Sequence, residues 1–266
     1  MIEPLISLGK KTVVAMVHLP ALPGSPDYDP VVGMNKILDA VMSDLEALQS
    51  GGVDAVMFGN EFDRPYVLKA PTEGLASLAT VIGQVKSMIK VPFGVNYLWV
   101  PVASVALAVA TDADFAREIF SGLYASDMGL WAPDCAGAAR LRSSNGRPDL
   151  QMLFNINAEF ATSLDNRPLD IKAKSAVFSS KADLICVSGM MTGMSVNQIE
   201  LRKVRESIPE TPLLANTGVT IDSVEETFSV TDGCVIGSHL KHNGDTWNTV
   251  DSDRVRKFMD KVDAIR

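Results

Sequence analysis

His18, Glu61 and Asp127 are the groups placed to move protons. His18 closes the apolar run TVVAMVHL (12–19), on the same face as Val14 and Met16. An imidazole there can serve as acid, base or ligand, or it can simply bond a backbone carbonyl beneath a loop. Glu61 follows the run DAVMFG (54–59) within NEFDRPY, beside Asn60 and Asp63. Its carboxylate suits a general base, with a pKa set by burial and neighbours. It suits equally a metal ligand, a loop cap or a partner for Arg64. Asp127, in SDMG, reads as a site acid on a lid or as an Asx-turn residue. Arg117 and Glu118 are neighbours in one strand-like run, so they face opposite ways. One faces inward and the other meets the helix layer or reaches an end. The plainer reading is a structural ion pair with adjacent strands.

A second group recognises rather than reacts. Asn96, Asn155 and Asn157 stand at the ends of apolar runs, and amides bind hydroxyls without titrating. A buried Asn needs partners, so Asn96 is either a substrate donor or a strut for a loop. Asn155 and Asn157 share a strand face, with Glu159 beyond them. Ser188 and Asn216 close two further runs. Ser188 lacks a G-x-S-x-G elbow, which argues against a hydrolytic nucleophile.

A third group suits an anion. Thr217-Gly218 and Gly237-Ser238 each end an apolar run with a glycine beside a hydroxyl residue. If those runs are the last two strands of a parallel barrel, their exits are where backbone N–H groups commonly hold phosphate. Ordinary glycine turns are the alternative. Lys241 would complete an anion site as a point charge. His239 and His242 form H-x-x-H in an expected exposed loop, with no cysteine near to complete a zinc site. The residues demand no cofactor, although Mg²⁺ on Glu61 with Asp63 or His18 is compatible with them.

Eight strand-like runs must position these groups: 12–19, 54–59, 93–97, 115–120, 152–157, 183–189, 213–216 and 233–236. Helical spacing alternates with them. Ile37, Val41, Leu45 and Leu48 recur at helical intervals before Gly51-Gly52. Further helices are predicted over 75–89, 101–110, 135–142, 171–179, 196–207, 221–229 and 251–265, the last capped by Asp251 or Ser252. Repeated βα units with continuous apolar strands imply a parallel sheet covered on both faces. Eight units favour a single closed (β/α)₈ barrel spanning residues 1–266. The absence of GxGxxG after the first strand excludes a Rossmann reading. Exit loops after the first, second and fourth runs are long, which places function at the C-terminal ends of the strands.

The chain has 266 residues, 47% hydrophobic and 21% charged, enough for a full core. A net charge of −8 argues against a nucleic-acid partner but leaves room for one local anion pocket. The three cysteines form no CxxC pair and read as small buried hydrophobes in a reducing cytoplasm. The opening MIEPLISLGKK carries no long apolar stretch, and the run around 100–110 is too short to span a bilayer. A cytoplasmic homo-oligomer is the expectation, the oligomer on base rate alone.

The segments MVHLPALPGSP, GGVDAVMFGNEFDRPY, PFGVNYLW, REIFSGLYASDMG, SGMMTG, LLANTGV and the DGCVIGSHLKHNGDTWNTVDSDRVRKFM tail resemble the BtpA/SgcQ family. NEFDRPY, REIF and LLANTGV bring the chain nearer the SgcQ branch. The resemblance implies a barrel of the ribulose-phosphate-binding kind. One branch is named for photosystem I biogenesis, and the other accompanies sugar-uptake gene clusters. The BtpA branch tends to carry a Lys-His pair on the fifth strand, where this chain has Asn155, Asn157 and Ala158-Glu159. A mechanism needing a Schiff-base lysine or a histidine from that strand is therefore not expected.

Two functions follow as expectations. The first is an enzyme that isomerises, epimerises or cleaves, in aldol fashion, a small phosphorylated sugar or related carbonyl compound. The second is a non-catalytic binding or assembly factor, with Trp99, Trp131 and Trp247 as surface contributors.

Overall fold

A computed structural model describes residues 6–266; residues 1–5 of the N-terminal stretch lie outside the described part. The chain begins with β1 (Thr12–His18), α1 (Gly33–Ser50), β2 (Ala55–Gly59), α2 (Thr72–Val85), β3 (Phe93–Asn96), α3 (Pro101–Thr111) and β4 (Phe115–Glu118). The middle holds β5 (Tyr124–Ser126), β6 (Gly129–Trp131), α4 (Cys135–Ser144), β7 (Gln151–Asn155), β8 (Ala161–Ser163) and α5 (Leu169–Ser179). The rest is β9 (Leu184–Val187), α6 (Gln198–Ser207), β10 (Leu213–Ala215), α7 (Val224–Phe228), β11 (Gly233–Ile236) and α8 (Ser252–Asp263).

The strands β1-β2-β3-β4-β7-β9-β10-β11 close into one parallel barrel. Alternate residues point into it. Val14, Met16, Ala55, Met57, Phe115, Leu153, Leu184, Cys186, Leu214 and Val235 form the interior layer. Their neighbours, such as Val13, Ala15, Val17 and Val56, face the helices. Continuous apolar strands thus reflect two buried faces rather than one. Ile6 joins the interior layer from below. Its N–H and C=O exchange hydrogen bonds with the Gln151 side chain, both at 3.2 Å, which seals the N-terminal end.

An aspartate precedes every second strand around the barrel (β2, β4, β9 and β11) and holds the strand before it. Asp54 Oδ2 accepts from Val13 N–H at 2.8 Å, and Asp114 Oδ2 from Phe93 N–H at 2.9 Å. Asp183 Oδ2 accepts from Met152 N–H at 2.8 Å, and Asp232 Oδ2 from Leu213 N–H at 2.9 Å. An N–H at the base of a parallel strand can lack a backbone partner, and burying it unpaired costs about 1–3 kcal/mol. One side chain at four equivalent places removes that cost. Gly233 is glycine for a different reason: a Cβ there would come within 2.3 Å of the Thr12 carbonyl oxygen.

The helices follow their apolar spacing. Ile37, Val41, Leu45 and Leu48 are the buried face of α1, and Asp251 is the N-cap of α8, accepting from Asp253 and Arg254 N–H. The helix expected over 221–229 shrinks to five residues. Among the described residues no helix is long and apolar enough to cross a membrane.

The residues expected to form a long loop after the fourth strand instead fold as a hairpin, β5 and β6. With β8 they make a small antiparallel sheet, ordered β6-β5-β8. Each strand has only three residues, too few for a period of two to register in the sequence. The sheet packs Tyr124 and Trp131 against Trp99 and Leu98, roofing one side of the barrel mouth.

Candidate active site

A cavity of 420 Å³ opens at the C-terminal ends of the barrel strands. Its polar wall draws on β1, β4 and the exits of β2, β7 and β10. The walls include His18, Glu61, Arg117, Glu159 and Asn216, then the glycine-bearing exits of β10 and β11.

Arg117 and Glu118 occupy opposite faces, as strand geometry requires. Arg117 follows Phe115 into the barrel. Its Nη1 donates to Asn216 Oδ1 at 2.8 Å and its Nη2 to Asn96 Oδ1 at 2.5 Å. Among the described residues no carboxylate pairs with it directly, so the expected structural ion pair does not form there and the guanidinium charge serves the cavity. Glu118 turns outward, accepting from Asn96 Nδ2 at 2.7 Å, Ser104 Oγ at 3.2 Å and Ile119 N–H at 3.0 Å. Burial pushes its carboxyl up to about 8, against the pull of Arg117.

Glu61 and Glu159 face each other across Thr192. The Thr192 hydroxyl lies 3.3 Å from Glu61 Oε1 and 3.3 Å from Glu159 Oε2. One hydroxyl proton serves only one of them at a time. Burial, reinforced by the nearby Glu159 charge, raises Glu61 from 4.5 to about 7. Burial likewise raises Glu159, while Arg117 pulls both down. Two buried carboxyls this close cannot both ionise freely. Glu159 Oε1 also accepts from Ser188 Oγ at 3.0 Å and Asn216 Nδ2 at 3.3 Å. Asn216 Nδ2 donates to Ser188 Oγ at 2.7 Å. Ser188 and Asn216 thus orient the carboxyl and the guanidinium.

His18 is buried beside them with Nδ1 unpartnered, so no backbone carbonyl holds that nitrogen. Burial and the positive charges of Lys241 and Arg117 hold its pKa well below 6.5. The imidazole is neutral at pH 7. Gly237 makes room for it: a Cβ there would lie 2.9 Å from His18 Cε1.

The glycine exits line the cavity through Thr217, Gly218, Gly237 and Ser238. Gly218 has φ +66°, and a Cβ would meet the Met194 carbonyl carbon at 2.3 Å, so no larger residue fits. The Thr217 hydroxyl is committed to that loop, donating to Met194 O at 2.8 Å and accepting from Gly189 N–H at 2.6 Å. Ser238 Oγ and Thr246 Oγ1 share a proton at 2.5 Å.

Five expected site residues stand elsewhere. Asn96 does not line the cavity; its amide is spent on Arg117 and Glu118. Asn157 clamps the backbone of Ser188, donating to its carbonyl at 2.6 Å and accepting from its N–H at 2.8 Å. Asn155 is 2% exposed within the barrel, with neither amide atom paired. Lys241 points away to α1, its Nζ 3.6 Å from Asp44 Oδ2 and 2.8 Å from Asn248 O. Burial drew the lysine to the one buried carboxylate on that helix. Asp127 sits at the exposed tip of the β5–β6 hairpin, on the wall of a second, outer cavity. Arg117, Glu159 and Thr192 line the cavity as well, although the sequence pattern points to Arg117 as half of a structural ion pair and places Glu159 only beyond Asn157. Arg117 shares strand parity with Phe115, but sequence alone does not say which face holds the lumen.

The donor set suggested for Mg²⁺ does not assemble. Asp63 accepts from Leu22 N–H at 2.7 Å and Asn60 Nδ2 at 3.2 Å, which spends its carboxylate. Among the described residues no three His, Cys, Asp or Glu side chains converge to hold a metal ion. His239 accepts from Ile221 N–H at 3.2 Å and packs on Phe258, while His242 lies 3.2 Å from Asp251, so H-x-x-H is not a chelate.

The BtpA family model matches residues 9–264. The chain belongs to the BtpA family. It is 49% identical to the sgc region protein SgcQ of Escherichia coli, covering 97% of this chain and 96% of that one. It is 25% identical to the photosystem I biogenesis protein BtpA of Synechocystis, covering 94% and 87%. Among solved structures, the native KDPGal structure superposes with a TM-score of 0.59 at 12% identity, over 95% of each chain. Phosphoribosyl anthranilate isomerase of Thermus thermophilus gives 0.58 at 10% identity, over 96% of this chain and all of that one. At such identities these structures establish the shared barrel alone.

Proposed function

We propose that this BtpA-family barrel is an enzyme that moves a proton on a small phosphorylated sugar or related carbonyl compound. The observation that carries the reading is the Glu61–Glu159 pair in a polar cavity, with Glu61 poised near 7 and Arg117 beside it. A general base works best with a pKa near the working pH. In this reading the N–H groups around Gly218, Gly237 and Ser238 hold the phosphate. The ionised Glu61 removes the proton from the carbon next to the carbonyl. The electron pair moves onto the carbonyl oxygen, where Arg117 and the neutral His18 stabilise the negative charge. Return of the proton to a neighbouring carbon gives an isomer; return to the other face gives an epimer. Glu159 hydrogen-bonds hydroxyls through its carboxyl and tunes Glu61 by repulsion.

The test is a thermal-shift screen with phosphorylated sugars, followed by proton NMR of each binder in D₂O. A true substrate exchanges a carbon-bound proton for deuterium, and Glu61→Gln abolishes the exchange while leaving binding intact. No binder in the panel, together with a stable protein partner in a pull-down, rejects the reading in favour of an assembly factor.

A further inference from the structure

We infer that the substrate of this site carries a flat apolar ring, held in a second chamber outside the polar one; this rests on the phosphorylated-substrate reading above. The outer cavity measures 470 Å³. Tyr66, Trp99, Met128, Phe160, Met191 and Trp247 form the large apolar part of its wall. Trp247 remains 42% exposed, Met191 50% and Phe160 37%. Large apolar side chains converging on one concave surface and left wet are the mark of a ligand chamber.

Two further features point to a ring rather than an alkyl chain. The aromatic groups are held in place. The Tyr66 hydroxyl donates to the Glu61 carbonyl at 3.0 Å, and its ring meets Trp99 edge-on at 5.8 Å. Trp247 is gripped by the Arg64 guanidinium at 3.7 Å from its centroid and by the edge of Phe62 at 5.0 Å. Fixed aromatic walls favour another aromatic through offset or edge contacts.

The chambers also meet at the reacting groups. Glu61, Trp99, Thr192 and Thr246 line both. A molecule with its phosphate at Gly218 and Gly237 and its ring near Trp247 places its middle beside Glu61. The ring chamber then sets which phosphorylated compound is accepted, and the glycine exits set where its anion lies.

Calorimetric titration with three probes tests this: glucose 6-phosphate, phenyl β-D-glucoside and phenyl β-D-glucoside 6-phosphate. Burying a phenyl ring against fixed aromatics should tighten binding of the third over the first by roughly tenfold or more. Trp247→Ala and Phe160→Ala should each reduce that advantage to about threefold or less, with circular dichroism reporting that both variants fold. Equal affinity for the first and third probes, or an advantage that survives both substitutions, overturns the ring chamber and leaves the phosphate reading standing. Equal affinity for the second and third keeps the ring chamber and overturns the phosphate reading. Silence from all three overturns both.

Discussion

Glu61→Gln should stabilise the protein at alkaline pH and do little below pH 5. The unfolded chain ionises Glu61 near 4.5, whereas the fold keeps it protonated to about 7. Between those values the folded state binds more protons, so stability falls as pH rises through the window. Each pH unit of displacement is worth about 1.4 kcal/mol, so an ionised Glu61 costs the fold roughly 3 kcal/mol above pH 7. Glutamine keeps the shape, stays neutral and removes that cost. For a chain of this size about 2 °C accompanies each kcal/mol, so the variant should gain roughly 6 °C in Tm over the wild type by pH 8. Differential scanning calorimetry of both proteins from pH 5 to 8.5 checks it. Comparing the two cancels His18 and His239, whose lowered pKa values act in the opposite direction, adding stability as pH rises toward 6.5. A Tm difference that stays flat across the range would refute the buried-carboxyl argument, and with it the claim that Glu61 is poised for proton transfer.

Arg117→Met should raise the pKa of Glu61 and Glu159 further, seen as an alkaline shift in the Glu61-dependent part of the Tm–pH curve. It should also cost about 2–4 kcal/mol in urea unfolding, because the Asn96 and Asn216 side-chain oxygens lose their donor. Arg117→Lys should recover little, since one ammonium does not reproduce a fork that reaches both amides. Asp114→Ala should cost roughly 1–3 kcal/mol by leaving Phe93 N–H unpaired, while Asp127→Ala on its exposed hairpin tip stays within about 0.5 kcal/mol. Lys241→Met should destabilise by about 3–5 kcal/mol by stranding Asp44, and adding Asp44→Leu should restore much of the loss. Neither substitution should change affinity for glucose 6-phosphate, which titration reads; a weakened phosphate contact would return Lys241 to the anion site.

Much of this molecule is legible in its sequence. Eight apolar runs alternating with helical spacing lead to the closed barrel, because a parallel strand buried on both faces has no polar positions to break its run. Strand ends at His18, Asn216 and Gly237 fell at the mouth because functional groups of such a barrel are carried on exits of that kind. Glu61, two residues past its strand, was legible for the same reason. The opposed faces of Arg117 and Glu118 followed from strand parity alone.

The tertiary structure decided which polar groups meet. Asn96 and Asn157 look like ligands in sequence, yet neighbouring strands supply the partners that occupy them. Lys241 follows the glycine exit of β11 in sequence but answers a buried aspartate on α1, at the other end of the chain. Glu61 and Glu159 become a pair only when the barrel closes and the loop bearing Thr192 folds between them. Sequence sets local periodicity and which side of a strand a residue takes. Pairing, and the pKa values that pairing and burial create, depend on distances between segments far apart in the chain, and only closure of the barrel sets those distances.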